Sequence, residues 1–304
     1  MRRLVPAVGL LALLSLPSAA QTTAPRTFAS PQDAATALID AVKGGRLDDV
    51  IAIFGPDGKE LADSSDPATG RRNREVFSAA VAEGWRLEDQ PGDRKALIIG
   101  HEGWPFPVPI VKRASGWQFD TAAGKEEVLA RRIGRNELAV IQVCRTYVAA
   151  QRIYVQHPHD GKPAGLYAQR FSSSPGKQDG LYWPAARGQK RSPLGDLVAQ
   201  AAEEGRALNT TAAEPQPFHG YFFKILTAQG ASAGGGAKSF LKSADMSGGF
   251  ALVAWPVQYD VTGVMTFVVN QDGIVYQKDL GPSTAATAGA MAVYDPGAGW
   301  EVAQ

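Results

Sequence analysis

Between Gly248 and Gly281 the chain reads GGFALVAWPVQYDVTGVMTFVVNQDGIVYQKDLG. Three runs rich in β-branched and aromatic residues follow one another there, at 250–255, 264–270 and 274–278. Asn270-Gln271-Asp272-Gly273 parts the last two with residues that suit a tight hairpin turn. Such a block must build an antiparallel meander and bury one of its faces. It holds no cluster of His or Cys, so it reads as framework and not as a reaction centre.

Upstream of this block a helix is expected over 125–156, with Gly134 as a point where it can break. Val140, Ile141, Cys144, Tyr147, Val148, Gln151, Tyr154 and Val155 fall on one of its faces. Residues 157–193 are irregular and rich in Gly, Ser, Pro and aromatics. Ser192-Pro193 opens a further helix that ends near Gly205, a strand is expected at 218–228, and ASAGGGA (231–237) reads as a loop.

The first half has a different rhythm. Ser30, Pro31 and Asp33 form a helix start, with Ala35, Leu38, Ile39 and Val42 at helical spacing and Gly44-Gly45 as the stop. Leu47, Val50, Ile51 and Phe54 make a second helix ending at Gly55-Pro56, and a third is expected over 69–83. Short strands follow at 85–89, 95–101, 104–112 and 116–120. Within the third of them, Pro105, Pro107 and Pro109 alternate with Phe106 and Val108. Alternation removes every donor on one side of the strand, so this segment is expected at a sheet edge. Helices followed by a strand meander give an α+β pattern, of the NTF2-like or cystatin-like curved-sheet kind by analogy.

The first 20 residues have the form of a secretory signal: Arg2 and Arg3, an apolar run over 4–16, then Pro17-Ser18-Ala19-Ala20, with cleavage expected after Ala20. The apolar run is shorter than the roughly 20 residues of a spanning helix, and no later segment offers one. The mature chain is expected in the periplasm or outside the cell. Its size implies two domains: a leader at 21–29, an α+β domain at 30–122, and a long-helix-plus-sheet domain at 123–304. One cysteine leaves no internal disulfide, so both domains depend on their own cores. A net charge of +1 gives no general attraction to nucleic acid or anionic lipid.

The strings WPFPVPIVKRASGWQFDTAAGKEE (104–127), AGKEEVLARRIGRNELAVIQVCRTYVAAQRIY (123–154), GYFFKILTAQG (220–230) and the 248–281 block together resemble a family of secreted bacterial proteins, domain-of-unknown-function family 2950. That resemblance implies export and no particular reaction. The second half also resembles type IV pilin and pseudopilin headgroups, through the helix at Asn136-Glu137, Gly165-Leu166-Tyr167-Ala168, Gly220-Tyr221-Phe222-Phe223 and the 262–277 hairpin. It departs from them where 125–135 is charged instead of apolar, and where a whole domain precedes the helix.

Candidate chemistry is sparse. His157, His159 and Asp160 have ligand-type side chains, but on a loop, with no fourth ligand identified. Cys144 sits on the apolar helix face, where a thiol is inert. No G-x-S-x-G elbow occurs, and in GGGAKS (234–239) an alanine stands before the Lys-Ser of a phosphate loop. Glu126, Glu127 and Glu137 beside Arg131, Arg132 and Arg135 read as surface pairs. The best ligand candidates are Tyr182 and Trp183 with Arg187 and Lys190, aromatics and cations that suit a sugar or an anionic polymer. Trp85, Trp104 and Trp117 are expected to pack the first domain or line its cone.

These residues imply no cofactor. They point to a non-enzymatic binding or assembly module of the cell envelope, its partner left open between an envelope protein and a cell-wall polymer. Two alternatives stay open: a small-molecule binder using the first-domain cone, and a hydrolase whose site has no motif.

Overall fold

The computed structural model of the protein describes residues 24–62, 67–185, 191–203 and 217–304. The expected signal peptide lies outside them, as do Arg187 and Lys190. The fold is α+β, mixing helices with antiparallel sheet, and it divides after Val128 into two compact units.

The first unit opens with α1 (Pro31–Lys43), α2 (Leu47–Phe54), α3 (Gly58–Ala62) and α4 (Pro67–Glu83). Ser30 caps α1: its hydroxyl oxygen accepts the Asp33 N–H at 3.1 Å. The apolar positions of α1 and α2 face a sheet made of β1 (Trp85–Gln90), β2 (Arg94–Ile99), β3 (Trp104–Pro105), β4 (Ile110–Arg113) and β5 (Gly116–Phe119). Strand order is β1-β2-β4-β5, with β3 also on β2. The core between helices and sheet is filled by Phe54, Phe77, Phe106 and Phe119, with ring centroids 5.3 to 6.4 Å apart. Phe28, read from sequence as part of the leader, belongs to this core. Its N–H and C=O both bond Trp117, extending the sheet past β5. Gly116 permits that approach, since a Cβ there would stand 2.7 Å from the Phe28 carbonyl oxygen.

The proline-alternating segment lies at an edge only in its first half: among the described residues β3 pairs with β2 alone, whereas β4 is interior. β3 and β4 pair with opposite ends of β2 on the same side, and β5 then covers β4. Between them the chain at 106–109 leaves the ladder. The Phe106 N–H keeps a bond to Leu97 O at 2.7 Å, and Val108 is turned into the core. Pro107 and Pro109 fall in the gap between β3 and β4, where no ladder donor is needed, and the interruption lets Phe106 and Val108 fill the centre.

The second unit is built on α5 (Thr121–Tyr154), a 34-residue helix that enters it at Leu129 and has no break at Gly134. Val140, Ile141, Cys144, Tyr147, Val148, Gln151 and Tyr154 are its buried stripe. After α6 (Gly195–Glu203) come β6 (Tyr221–Leu226), β7 (Ala228–Gln229), β8 (Lys238–Ser239), β9 (Leu241–Lys242), β10 (Asp245–Met246), β11 (Ala251–Pro256), β12 (Met265–Asn270) and β13 (Tyr276–Asp279). Then α7 (Thr284–Ala290), β14 (Val293–Tyr294) and β15 (Glu301–Val302) close the chain. The main sheet runs β15-β13-β12-β11-β6. The 248–281 block supplies its three central strands, and the predicted turn is present: Gly273 N–H bonds Asn270 O at 3.0 Å with φ +84° at Gly273. β11 is buried on both faces over 251–254, beyond what a half-buried meander needs. Among the described residues, no helix is long and apolar enough to cross a membrane.

Candidate functional site

The irregular segment after α5 is fixed by side chains at the end of that helix. Gln151, fully buried, receives the Ala168 N–H at 2.9 Å and donates to the Ala168 carbonyl at 2.8 Å and to the Tyr147 hydroxyl at 3.1 Å. The Tyr147 hydroxyl in turn donates to Ala251 O on β11 at 3.2 Å. Tyr154 donates from its hydroxyl to Gln178 O at 2.8 Å, and the Gln178 N–H bonds Asp160 at 2.8 Å. A second knot lies in the same segment. Asp179 accepts from the Ser174 N–H at 2.7 Å and hydroxyl at 2.9 Å, while Arg170 holds the Ser174 hydroxyl at 2.7 Å. Partial burial pushes the Asp179 carboxyl up, but the Ser174 bonds and Arg170 outweigh it and hold the group below its ordinary value.

This geometry redistributes the predicted site. The His159 ring is 8% exposed and stacks on Tyr154 with centroids 3.8 Å apart and planes 9° from parallel. Its Nε2 lies 3.0 Å from Tyr154 O, so that nitrogen carries the donated proton, and the buried Nδ1 has no partner among the described residues. Asp160 turns away to cap the Gln178 N–H, at a left-handed φ of +49°. His157, His159 and Asp160 therefore do not converge. Among the described residues, no group of three or more His, Cys, Asp or Glu is placed to hold a metal.

Trp183 is 6% exposed, in the core of the second unit, with its ring centroid 5.8 Å from His159. The Trp183 ring fills the space beneath the loop and leaves little of its surface for a ligand. Tyr182 is half-buried and tied through its backbone to Phe171 and Ser173. Arg187 and Lys190 lie outside the described residues. Burial pushes the Cys144 thiol up to about 12, against a small lowering by Arg145, so it is no nucleophile at neutral pH. Burial likewise raises the Tyr154 hydroxyl to about 12, with Asp160 and Asp179 adding to it.

Glu137 is a structural acceptor. One of its oxygens takes the N–H groups of Val264 and Met265 at 2.8 and 2.9 Å and lies 3.3 Å from the Tyr221 hydroxyl. Burial, then Glu137, raises the Tyr221 phenol well above its ordinary value. Gly263 makes room for that phenol, since a Cβ there would overlap it.

In the first unit the tryptophans divide. Trp117 packs against the core, whereas Trp85 and Trp104, opposite Ile99 on its two sides, are 37% and 45% exposed. Phe54 and Phe119 form the floor of an open cleft of about 380 Å³, walled by Pro25, Asp57, Gln118 and Asp120. Asp120 caps α5 through the Ala123 N–H at 3.3 Å and is flanked by Arg94 and Arg113 at 3.4 and 3.3 Å. No spacing in the sequence announces this cleft. Its walls come from three chain segments, around Pro25, Asp57 and Asp120.

The family model described as "Protein of unknown function (DUF2950)" matches residues 25–303. No curated protein and no solved structure matches the chain.

Proposed function

The chain belongs to the DUF2950 family, and from that premise we propose an exported binding or assembly module of the cell envelope. Export is the reading of residues 1–20, with cleavage after Ala20 and release into the periplasm or beyond. In finer terms we read the first unit as an NTF2-like or cystatin-like helix-on-sheet domain. The second we read as a long helix on an antiparallel sheet of the pilin-headgroup kind.

The observation that carries the reading is the employment of the chemically competent side chains. Cys144, Tyr147, Gln151, Tyr154, Tyr221 and Glu137 are committed to the core or to backbone bonds, and the titratable thiol and phenols among them are held protonated by burial. A catalytic centre needs such groups aimed at a substrate with pKa values near the working pH. Here they hold loops and turns. Binding through surface residues is the function that this leaves supported.

The test is cell fractionation followed by affinity capture on envelope material. The 21–304 product is expected outside the cytoplasm and retained by envelope protein or cell-wall polymer. Cytoplasmic recovery, or turnover in a hydrolase screen by the purified chain, overturns the proposal.

A second reading, a small-molecule binder, is favoured by the cleft on the first unit, whose volume falls in the usual ligand range. Its aromatic floor and carboxylate walls suit a compact organic molecule carrying a hydrogen-bond donor. A Trp at Ala122 fills that cleft. Ligands found by thermal shift should lose their effect in Ala122→Trp, and hits that survive the substitution place binding elsewhere.

A further inference from the structure

We propose that the outer edge of β1 pairs with the same edge of a second copy, forming an antiparallel two-fold dimer centred on Leu87. The inference stands apart from export and from the cleft. It rests on the direction of backbone groups and on the order of charges along one strand.

β1 is matched with β2 over its full length, from Trp85 opposite Ile99 to Gln90 opposite Arg94. Among the described residues, no strand pairs with its other side. The strand is exposed at every residue except the half-buried Leu87. Which backbone groups point outward follows from one bond. Gly100 N–H donates to Gly84 O at 2.9 Å, so this opposed pair is of the hydrogen-bonded kind. Opposed pairs alternate in an antiparallel ladder, so Arg86, Glu88 and Gln90 bond β2, while Trp85, Leu87 and Asp89 send N–H and C=O away from it. The same phase is seen on β2, where Leu97 O faces the far side and accepts from Phe106.

Trp85, Leu87 and Asp89 are symmetric about Leu87. An antiparallel copy centred there sets Leu87 opposite Leu87 and Trp85 opposite Asp89, and each of these pairs can exchange two hydrogen bonds. A shift of one residue faces outward groups with inward ones and makes none. In the matching register Arg86 falls opposite Glu88 of the second copy, and Glu88 opposite its Arg86. These are non-hydrogen-bonded pairs, whose side chains come closest. In the single chain Arg86 and Glu88 pair with each other at 2.7 Å, both more than half exposed. An edge with Arg, Glu and Asp repels most foreign strands. This order of charges accepts its own.

The contact is one strand long, so the dimer is of the weak, concentration-dependent class. Sedimentation of the purified protein from micromolar to millimolar concentration should show a monomer–dimer equilibrium. Glu88→Arg opposes arginines at two symmetric positions and should weaken association about tenfold or more. Arg86→Glu should do the same, and the double variant Arg86→Glu, Glu88→Arg should restore it. Leu87→Pro removes an outward N–H and trims a side chain packed against the core, yet takes no donor from the β1–β2 ladder, so β1 keeps its bonds to β2 while the dimer is lost. Unchanged tryptophan fluorescence verifies folding of each variant. A wild-type protein that stays monomeric throughout overturns the proposal. So does a dimer indifferent to Glu88→Arg and Leu87→Pro, or a folded double variant that fails to recover.

Discussion

The two units solve the problem of a closed core in opposite ways. All eight tyrosines and the one cysteine lie in the second unit, and the first has neither. The first packs four phenylalanines between helices and a sheet whose backbone groups are mostly met by strand neighbours. The second must also fix a long segment, 157–183, that has no regular element. It does so by sending polar side chains through its core to main-chain groups: Tyr147 to Ala251, Gln151 to Ala168, Tyr154 to Gln178, Tyr221 to Met265. Where secondary structure satisfies the backbone, the core can be plain hydrocarbon. Where it does not, buried polar side chains take over that task.

The largest effect should come from the apolar side of this contrast. Phe119 is fully buried and meets Phe54 and Phe106 edge-on, at 5.3 and 6.3 Å. Phe119→Ala should cost about 4 kcal/mol in denaturant unfolding, and Phe119→Leu about 1.5 kcal/mol, because volume is most of what this core requires. Both changes should leave the transition of the second unit in place. A large cost for Phe119→Leu would mean that ring geometry, and not filling, governs the first unit.

Gln151→Leu is the matching test of the polar side. It conserves approximate volume and strips both bonds to Ala168, leaving a buried N–H and C=O unmet. About 3 kcal/mol should be lost from the second unit alone. A loss below about 1 kcal/mol would mean that water or a backbone shift re-satisfies Ala168, and the contrast between the cores would collapse.

These positions also show what could be read from the sequence. The ends of α1 were legible because Ser, Pro and Gly act within one turn of themselves. The Asn270–Gly273 turn was legible for the same reason. The buried stripe of α5 followed from its spacing. The partners of Gln151 and Tyr154 were not legible, because a main-chain carbonyl is offered by every residue and topology selects which one. α3 was missed since its five residues have no full apolar period. The proline run misled because the rule of one donor-free side assumes a continuous strand, whereas this one is cut in two by Val108 entering the core. For the site, the burial of Trp183 depended on Tyr154 and His159 stacking beside it, a contact that no local pattern encodes.

Alkaline pH should separate the units without mutation. Burial raises the Tyr147 phenol above its ordinary value of about 10, the value it regains on unfolding. Below that value both states keep the proton and stability is unaffected. Above it the unfolded chain releases a proton that the folded one retains, so stability falls by about 1.4 kcal/mol per pH unit for this group. By pH 11.5 the second unit should lose about 2 kcal/mol through Tyr147 alone, with Tyr154, Tyr221 and Tyr294 acting in the same direction. The first unit has no phenol or thiol to titrate. Urea titrations at pH 8 and pH 11.5 should show one transition moving. Equal movement of both would assign the alkaline loss to general charge imbalance instead.

The smallest effect expected lies at the start of α1, where the first unit uses a polar bond of its own. Ser30 is extended, at φ −138° and ψ 160°, and its oxygen accepts the Asp33 N–H while its hydroxyl donates to the Asp33 carboxylate at 2.7 Å. The pair is exposed, so water stands ready to replace each partner, unlike at Gln151. Ser30→Ala should therefore cost only about 1 kcal/mol, and Ser30→Asp should recover most of it by accepting the same N–H. The two serine variants, set beside Gln151→Leu, measure one type of bond, side chain to backbone, inside water and away from it. A cost at Ser30 as large as at Gln151 would show that anchoring α1 matters to the first unit as much as the polar threads matter to the second.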